Sequence, residues 1–160
     1  MVTDKKILVA YYSKTGHTEK VARDIASAFG ADFEKIIDKK KRTGIWGWIM
    51  GGRDAMKKRR ADIGELQKDP ANYDVVIMGS PVWSWNATPA INSYIDKTKG
   101  KIKNAVFFIT SGSTEAAKIV PYLEEISGKK ALAYVGFNEN ELANEKVYNE
   151  KLNNFLRAVK

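Results

Sequence analysis

Hydroxyl side chains cluster around a glycine near the start of the chain. Residues 13–18 contain three hydroxyl side chains, one lysine, one glycine and one histidine, and they lie between an apolar run and a segment with helical spacing. Backbone N–H groups at a helix start, the positive end of the helix dipole and hydroxyl donors together suit a phosphate. The spacing matches neither a Walker A loop nor a dinucleotide fingerprint. A plain strand-to-helix turn with Thr15 or Thr18 as the N-cap is the alternative.

The composition excludes several other kinds of chemistry. The 160 residues include no cysteine and one histidine, so disulfides, thiol nucleophiles and thiolate-bound clusters are absent and a zinc site would need mainly carboxylates. A serine hydrolase is also excluded, because Ser80 and Ser111 do not lie in a Gly-x-Ser-x-Gly motif and the single histidine already belongs to residues 13–18. We therefore predict no catalytic residue and no metal site.

The elements that position these residues can be read from hydropathy. Nearly continuous apolar runs at 7–12, 75–78, 105–109 and 131–135, with an alternating run at 32–37, are separated by segments with helical spacing. This alternation predicts a single domain over residues 1–160, of the α/β class. We expect a three-layer, doubly wound fold with a five-stranded parallel sheet in the order 2-1-3-4-5. Ligands of such sheets bind where the carboxyl ends of strands 1 and 3 meet.

Two further stretches follow the third and fourth predicted strands. Residues 79–89 read Gly-Ser-Pro-Val-Trp-Ser-Trp-Asn-Ala-Thr-Pro, and residues 110–113 read Thr-Ser-Gly-Ser. Together with Ser-Lys-Thr-Gly-His-Thr at 13–18, they resemble the three cofactor-binding loops of the flavodoxin family. The loops occur in the family's order and the likeness extends over essentially the whole chain. The long-chain insertion in the last strand is missing, which makes the chain similar to the short-chain members.

The resemblance implies a flavodoxin-like fold and one non-covalently bound FMN. It implies that the phosphate is bound by Ser13, Lys14, Thr15, Gly16, His17 and Thr18. It places Ser80, Pro81, Val82, Trp83, Ser84, Trp85 and Asn86 along the flavin ring, with Trp83 or Trp85 stacking on it. The pyrimidine edge would meet Thr110, Ser111, Gly112 and Ser113. The implied function is electron transfer between redox partners. The alternatives are an FMN-dependent NAD(P)H:quinone oxidoreductase and a flavin-free binding module of the same fold.

The net charge of +8 lies entirely in residues 39–60, which contain nine basic residues and one acid. This basic segment encloses an apolar stretch in which Ile45, Trp48, Ile49 and Met56 can share one helical face. Three interpretations remain open: a covering helix with its aromatic face on the sheet, a docking surface for an acidic redox protein, and a membrane-surface contact that gives access to quinones. No nucleic-acid recognition motif is present, so no nucleic-acid partner is expected. Trp46 or Trp48 could also reach the flavin.

The chain shows no targeting sequence and no apolar run of about 18 residues. This predicts a cytoplasmic protein.

Overall fold

Five parallel strands form the central sheet of the computed structural model, which describes residues 3–160. The strands are β1 (Ile7–Tyr11), β2 (Asp32–Lys35), β3 (Val75–Trp83), β5 (Ala105–Ser111) and β6 (Ala131–Asn138), and their spatial order is β2-β1-β3-β5-β6. A short strand, β4 (Asn86–Ala87), pairs antiparallel with the end of β3. The predicted order 2-1-3-4-5 of the parallel strands is therefore confirmed.

Helices cover both faces of this sheet. They are α1 (His17–Phe29), α2 (Gly44–Met56), α3 (Pro89–Thr98), α4 (Ala116–Ser127), α5 (Glu139–Ala143) and α6 (Glu145–Val159), with short 3₁₀ helices at Pro70–Asn72 and Lys99–Lys101. The apolar faces of α1 and α6 pack on one side of the sheet, and those of α3 and α4 pack on the other. The predicted C-terminal helix is divided at Asn144, whose side chain accepts a hydrogen bond from the Val147 N–H and so begins α6.

The apolar runs of β1, β3 and β5 are nearly continuous because both faces of these strands are buried. The same expectation is wrong for the run at 131–135, because β6 is an edge strand on which Leu132 and Tyr134 are exposed. In β1, Ile7, Val9 and Tyr11 face the core under α1 and α6, whereas Leu8 and Ala10 face the opposite core. All five residues are buried. Successive side chains of a strand point to opposite faces, so a strand covered on both sides carries apolar residues at nearly every position.

A close approach between β3 and β5 fixes the sheet directly below the candidate site. Gly79 pairs with Phe108, and a Cβ added at Gly79 would lie 1.9 Å from Cζ of the Phe108 ring. The ring occupies the space that any larger residue at position 79 would need. Glycine at this position therefore lets β3 pack closely against the Phe108 ring of β5.

The third strand is longer than the apolar run at 75–78 predicts. It continues to Trp83 and returns through β4, so that Ser80, Pro81, Val82 and Trp83 belong to a strand rather than to a loop. Ser84 and Trp85 form the two-residue turn, and their φ angles of 45° and 61° are both in the left-handed region. Turns of this kind match the twist of a hairpin but normally favour glycine or asparagine.

The basic segment contains a helix, α2, but its apolar residues do not pack on the sheet, as the first of the three open interpretations would require. Ile45, Trp48, Ile49 and Met56 are exposed, whereas Gly51, Asp54 and Ala55 are buried. Two features explain this orientation. Gly51 lets the helix approach Trp83, since a Cβ there would lie 3.1 Å from the indole, and the buried Arg42 bonds the Asp54 carboxylate.

Among residues 3–160, no helix combines the length and apolar character needed to cross a bilayer.

Candidate functional site

A cavity of about 300 Å³ lies at the carboxyl ends of β1, β3 and β5. It brings together parts of all three loops singled out from the sequence. Its walls are Lys14, Thr15, His17, Thr18, Trp48, Pro81, Val82, Trp83, Thr110, Ser111, Gly112 and Glu139. Ten of these twelve residues are among those that the resemblance assigned to the cofactor.

One end of the cavity is the start of α1. Gly16 is the N-cap, with a φ of 102° that L side chains rarely adopt, and its N–H donates to Ser13 Oγ at 3.1 Å. No side chain caps the helix, so neither Thr15 nor Thr18 is the N-cap that a plain turn would require. The first-turn N–H groups have no partner within the helix. They and the helix dipole therefore favour an anion at this end.

The first and third loops are joined by a buried hydrogen bond. The hydroxyl oxygens of Thr18 and Thr110 lie 2.7 Å apart, and both residues are almost completely buried. Ser111 directs its own hydroxyl to the Thr114 carbonyl at 2.7 Å, which shapes the turn after β5. The two loops consequently hold a defined distance across the base of the cavity.

Two indoles and a lysine form the wall nearest to α2. Trp83 is 8% exposed and packs edge-on against Tyr12, with the ring centroids 5.5 Å apart. Trp48 is 61% exposed. The Lys14 ammonium lies 4.9 Å from the Trp48 ring centroid and 5.6 Å from that of Trp83, within the range of a cation–π attraction. Burial, together with the positive charge of Arg42, lowers the pKa of Lys14.

Arg42 anchors α2 behind this wall. Its guanidinium donates to Asp38 Oδ2 and Asp54 Oδ2, each at 2.8 Å, and lies 5.7 Å from the Trp83 ring centroid. Burial alone would raise the pKa of the Asp54 carboxyl, but the hydrogen bond and charge of Arg42 outweigh it and hold that pKa below its ordinary value. The ion pair fixes both the helix and the charge next to the cavity.

The remaining predicted site residues lie outside the cavity walls. Ser80 is buried, and its hydroxyl accepts the Thr88 N–H and donates to the Pro81 carbonyl, so it stabilises the hairpin and the start of α3. Trp85 is 77% exposed at the turn. Asn86 donates to the Ser84 carbonyl at 2.8 Å. Ser13 and Gly16 shape the first loop, and Ser113 lines a neighbouring cavity. Direct contact of these residues with a cofactor stays a prediction.

Two wall residues, Trp48 and Glu139, lie outside the three loops. Trp48 comes from the basic segment, and its place in the wall agrees with the expectation that Trp46 or Trp48 could also reach the flavin. Glu139 follows β6 at the start of α5. The sequence signal for that helix start is the capping box of Asn138 and Glu141, which places Glu139 in the first turn.

The walls are suited to a ligand with an anionic end and a flat apolar body. The α1 start supplies donors for a phosphate, Trp83 and Trp48 supply aromatic surface, and the third loop supplies backbone and hydroxyl groups at the far side. FMN combines these three kinds of chemistry in one molecule. The residues present therefore fit that cofactor.

The comparison with known proteins agrees with this assignment. A family model described as Flavodoxin matches residues 6–159. The flavoprotein from Lactobacillus acidophilus crystallised in complex with FMN is 25% identical, with a TM-score of 0.72 over 87% of this chain and 97% of its own. A protein from Bacteroides eggerthii assigned as a flavoprotein is 27% identical, with a TM-score of 0.72 over 95% and 98% of the two chains. The Trp repressor binding protein from Bacillus subtilis, at 15% identity and a TM-score of 0.63 over 96% and 99%, shares the fold.

The expected cofactor is thus confirmed at the level of the family. The match extends over nearly the whole chain, and the sheet order and the three converging loops agree with it. The chain belongs to the flavodoxin family.

Proposed function

We propose that the protein binds one FMN without a covalent bond and transfers electrons between redox partners through it. The observation that carries the proposal is the convergence of three loops on one cavity, with an uncapped helix start at one end and two indoles along its wall. The L. acidophilus relative crystallised with FMN supports the same choice of cofactor.

Each part of the cavity would have a separate task. The N–H groups at the α1 start and the hydroxyls of Thr15 and Thr18 bind the phosphate. Trp83, held by Tyr12, offers a rigid apolar surface, and Trp48 excludes water from the opening. Bound FMN supplies the redox chemistry, and the chain supplies affinity, orientation and a tuned electrostatic field.

The electrostatic field in the cavity is set by charges of both signs. Lys14 and Arg42 place positive charge beside the indole wall, which favours negative charge inside the cavity. Glu139 has the opposite effect from the α5 side. The balance of these groups would set the potential at which a bound flavin accepts electrons.

An anaerobic reductive titration followed by visible absorption tests this function. The purified protein should contain about one FMN per chain, as expected for one site, and reduction should proceed in two resolved one-electron stages. A single two-electron stage together with rapid NAD(P)H-dependent quinone reduction would instead establish the quinone oxidoreductase. A colourless protein whose tryptophan fluorescence is not quenched by added FMN would refute flavin binding.

Two variants separate cofactor binding from folding. Thr18→Val removes one partner of the buried hydroxyl pair beside the helix start, and we expect about a 10-fold loss of FMN affinity, roughly the value of one hydrogen bond. Thr98→Val removes a buried hydroxyl of α3 that is remote from the cavity, and its FMN affinity should stay unchanged. Fluorescence titration with FMN measures both.

A further inference from the structure

The outward side of α2 is covered by large apolar side chains. We name this set of residues the α2 surface: Ile45, Trp46, Trp48, Ile49 and Met56. Ile45 and Trp46 are 78% and 77% exposed, and the other three are also more than half exposed. Ile45, Ile49 and Met56 lie on one helical face because their spacing corresponds to whole turns. So many large apolar groups on one exposed helix indicate an interaction site.

Positive charge surrounds this apolar face. Lys41, Arg53 and Lys57 are exposed, and none of the ion pairs found within residues 3–160 involves them. The segment's one acid, Asp54, is buried under Arg42 and also pairs with Arg59. The outward side of residues 39–60 therefore presents cations and apolar groups without an exposed carboxylate.

We propose that the α2 surface docks on the anionic headgroup region of a lipid bilayer. An exposed helix with apolar and tryptophan side chains, flanked by lysine and arginine, has the pattern of helices that lie in the membrane interface. The apolar side chains enter the boundary between headgroups and acyl chains, and the flanking cations attract anionic lipids. The proposal concerns a surface contact and does not depend on the proposed redox function.

Two other occupants agree less well with these charges and side chains. A second copy of the chain would bring two segments of the same charge together, which repel each other. An acidic protein would complement Lys41, Arg53 and Lys57, but steering by charge does not need five exposed apolar side chains. A bilayer interface uses both features at once.

The position of Trp48 connects this contact with the cavity. Trp48 belongs to the α2 surface and also to the cavity wall, where the Lys14 ammonium lies over its ring. Docking of α2 on a bilayer therefore places the opening of the cavity at the lipid interface. Apolar molecules dissolved in the bilayer would approach the cavity from that side.

Sedimentation with vesicles tests the proposal on the purified 160-residue chain. Vesicles of equimolar phosphatidylglycerol and phosphatidylcholine should bind it at low salt, whereas pure phosphatidylcholine vesicles should bind at least about 10-fold less. The tryptophan emission should shift to shorter wavelength on binding, because Trp46 and Trp48 leave water. A protein that shows neither sedimentation nor an emission shift with the anionic vesicles overturns the proposal.

Matched variants separate the apolar contribution from the charge. I45S/I49S should reduce vesicle binding by at least about 10-fold, as expected for two partly buried aliphatic groups, whereas L132S/V147S alters exposed apolar residues elsewhere and should not. K41Q/R53Q/K57Q should reduce it by roughly 10- to 100-fold. K99Q/K118Q/K146Q, with the same loss of charge on other elements, should have a much smaller effect.

Retained FMN and an unchanged urea midpoint show that each variant is folded. If I45S/I49S binds anionic vesicles as well as the unaltered protein does, the apolar face takes no part and the proposal is wrong. A protein that ignores vesicles but binds a small acidic ferredoxin in a manner that depends on Lys41, Arg53 and Lys57 would identify the surface as a protein-docking site, which also overturns the proposal.

Discussion

Lys14 and Glu139 have opposite effects on the electrostatic potential inside the cavity. The Lys14 ammonium lies within cation–π distance of both the Trp48 and the Trp83 rings, and partial burial strengthens its influence on any ligand in the cavity. Glu139, in the first turn of α5, brings a carboxylate to the other side. Neither charge can be assessed alone, because a bound flavin experiences their sum.

Neutralising each of these two residues should shift the flavin potential in opposite directions. With saturating FMN, Lys14→Gln should lower the midpoint potential by a few tens of millivolts, because a positive charge that stabilises added electrons is lost. Glu139→Gln should raise it by a similar amount. Potentiometric titration measures both, with Lys118→Gln, on exposed α4 surface, as the control that should leave the potential almost unchanged.

Asp54 contributes to the stability of the fold through its ion pair with Arg42, next to the cavity. Asp54→Asn removes a carboxylate that pairs with buried Arg42, and we expect a loss of about 3 kcal/mol in the free energy of unfolding at neutral pH. Because the fold holds the pKa of Asp54 below its ordinary value, the stabilisation is complete above the unfolded pKa near 4 and is lost as the pH falls through the lower, folded pKa.

The difference in the free energy of unfolding between the unaltered protein and Asp54→Asn should therefore narrow as the pH is lowered below about 4. Urea denaturation at neutral and acidic pH measures it. Asp62→Asn is the matched control, since Asp62 pairs with Lys39 on the exposed surface and its loss should cost no more than about 0.5 kcal/mol. A difference that stays constant with pH would contradict the role assigned to the Asp54 carboxylate.

The β3–β4 hairpin carries backbone strain at its turn. Ser84 and Trp85 both adopt positive φ angles, although neither is glycine or asparagine. The turn is held by the pairing of Trp83 with Asn86 and by the amide of Asn86, which donates to the Ser84 carbonyl. Its tip is the exposed indole of Trp85.

Replacing two equally exposed tryptophans by glycine should give results of opposite sign. Trp85→Gly removes the positive-φ strain and should stabilise the protein by about 1 kcal/mol. Trp46→Gly, at the same 77% exposure but inside α2, should destabilise it by about 0.5 kcal/mol, because glycine weakens a helix. Urea denaturation compares the two, and a loss of stability in Trp85→Gly would show that its indole has a packing role.

The layered α/β fold could be predicted because the apolar runs of the inner strands report burial on two faces, as in β1, whereas the run of β6 gave no sign that Leu132 and Tyr134 are exposed. The three loops could be predicted to meet because parallel strands end at one edge of the sheet. The orientation of α2 could not, because it depends on the ion pair between Arg42 and Asp54, which are 12 residues apart in the sequence. The Ser84–Trp85 turn lacks the residues that normally indicate one. Glu139 lines the cavity from the first turn of α5, outside the three loops that the resemblance singled out.

For the molecule as a whole, the charge excess is localised and the rest of the chain is balanced. All of the net +8 lies in residues 39–60, and α2 brings this segment to the side of the cavity. The exposed charges of this segment act on the cavity through solvent as well as through protein. Salt screens such electrostatic interactions over about 10 Å at 0.1 M ionic strength. The cofactor potential should therefore respond to the medium.

Lowering the salt concentration should raise the midpoint potential of the bound flavin. The reason is that unscreened positive charge near the cavity favours added electrons. Potentiometric titration between about 0.02 M and about 0.5 M salt measures the slope. K41Q/R53Q/K57Q should flatten it, whereas K99Q/K118Q/K146Q should largely preserve it. A potential independent of salt would show that residues 39–60 do not influence the flavin.

Trp48 belongs both to the α2 surface and to the wall of the cavity. Binding at the α2 surface and binding in the cavity are therefore expected to be energetically coupled. A ligand on the α2 surface that displaces Trp48 should change the affinity of the cavity for its cofactor, and thermodynamic reciprocity then requires the cofactor to change the affinity for that ligand by the same factor. The apo and holo forms of this protein should accordingly differ in what they bind on the outside.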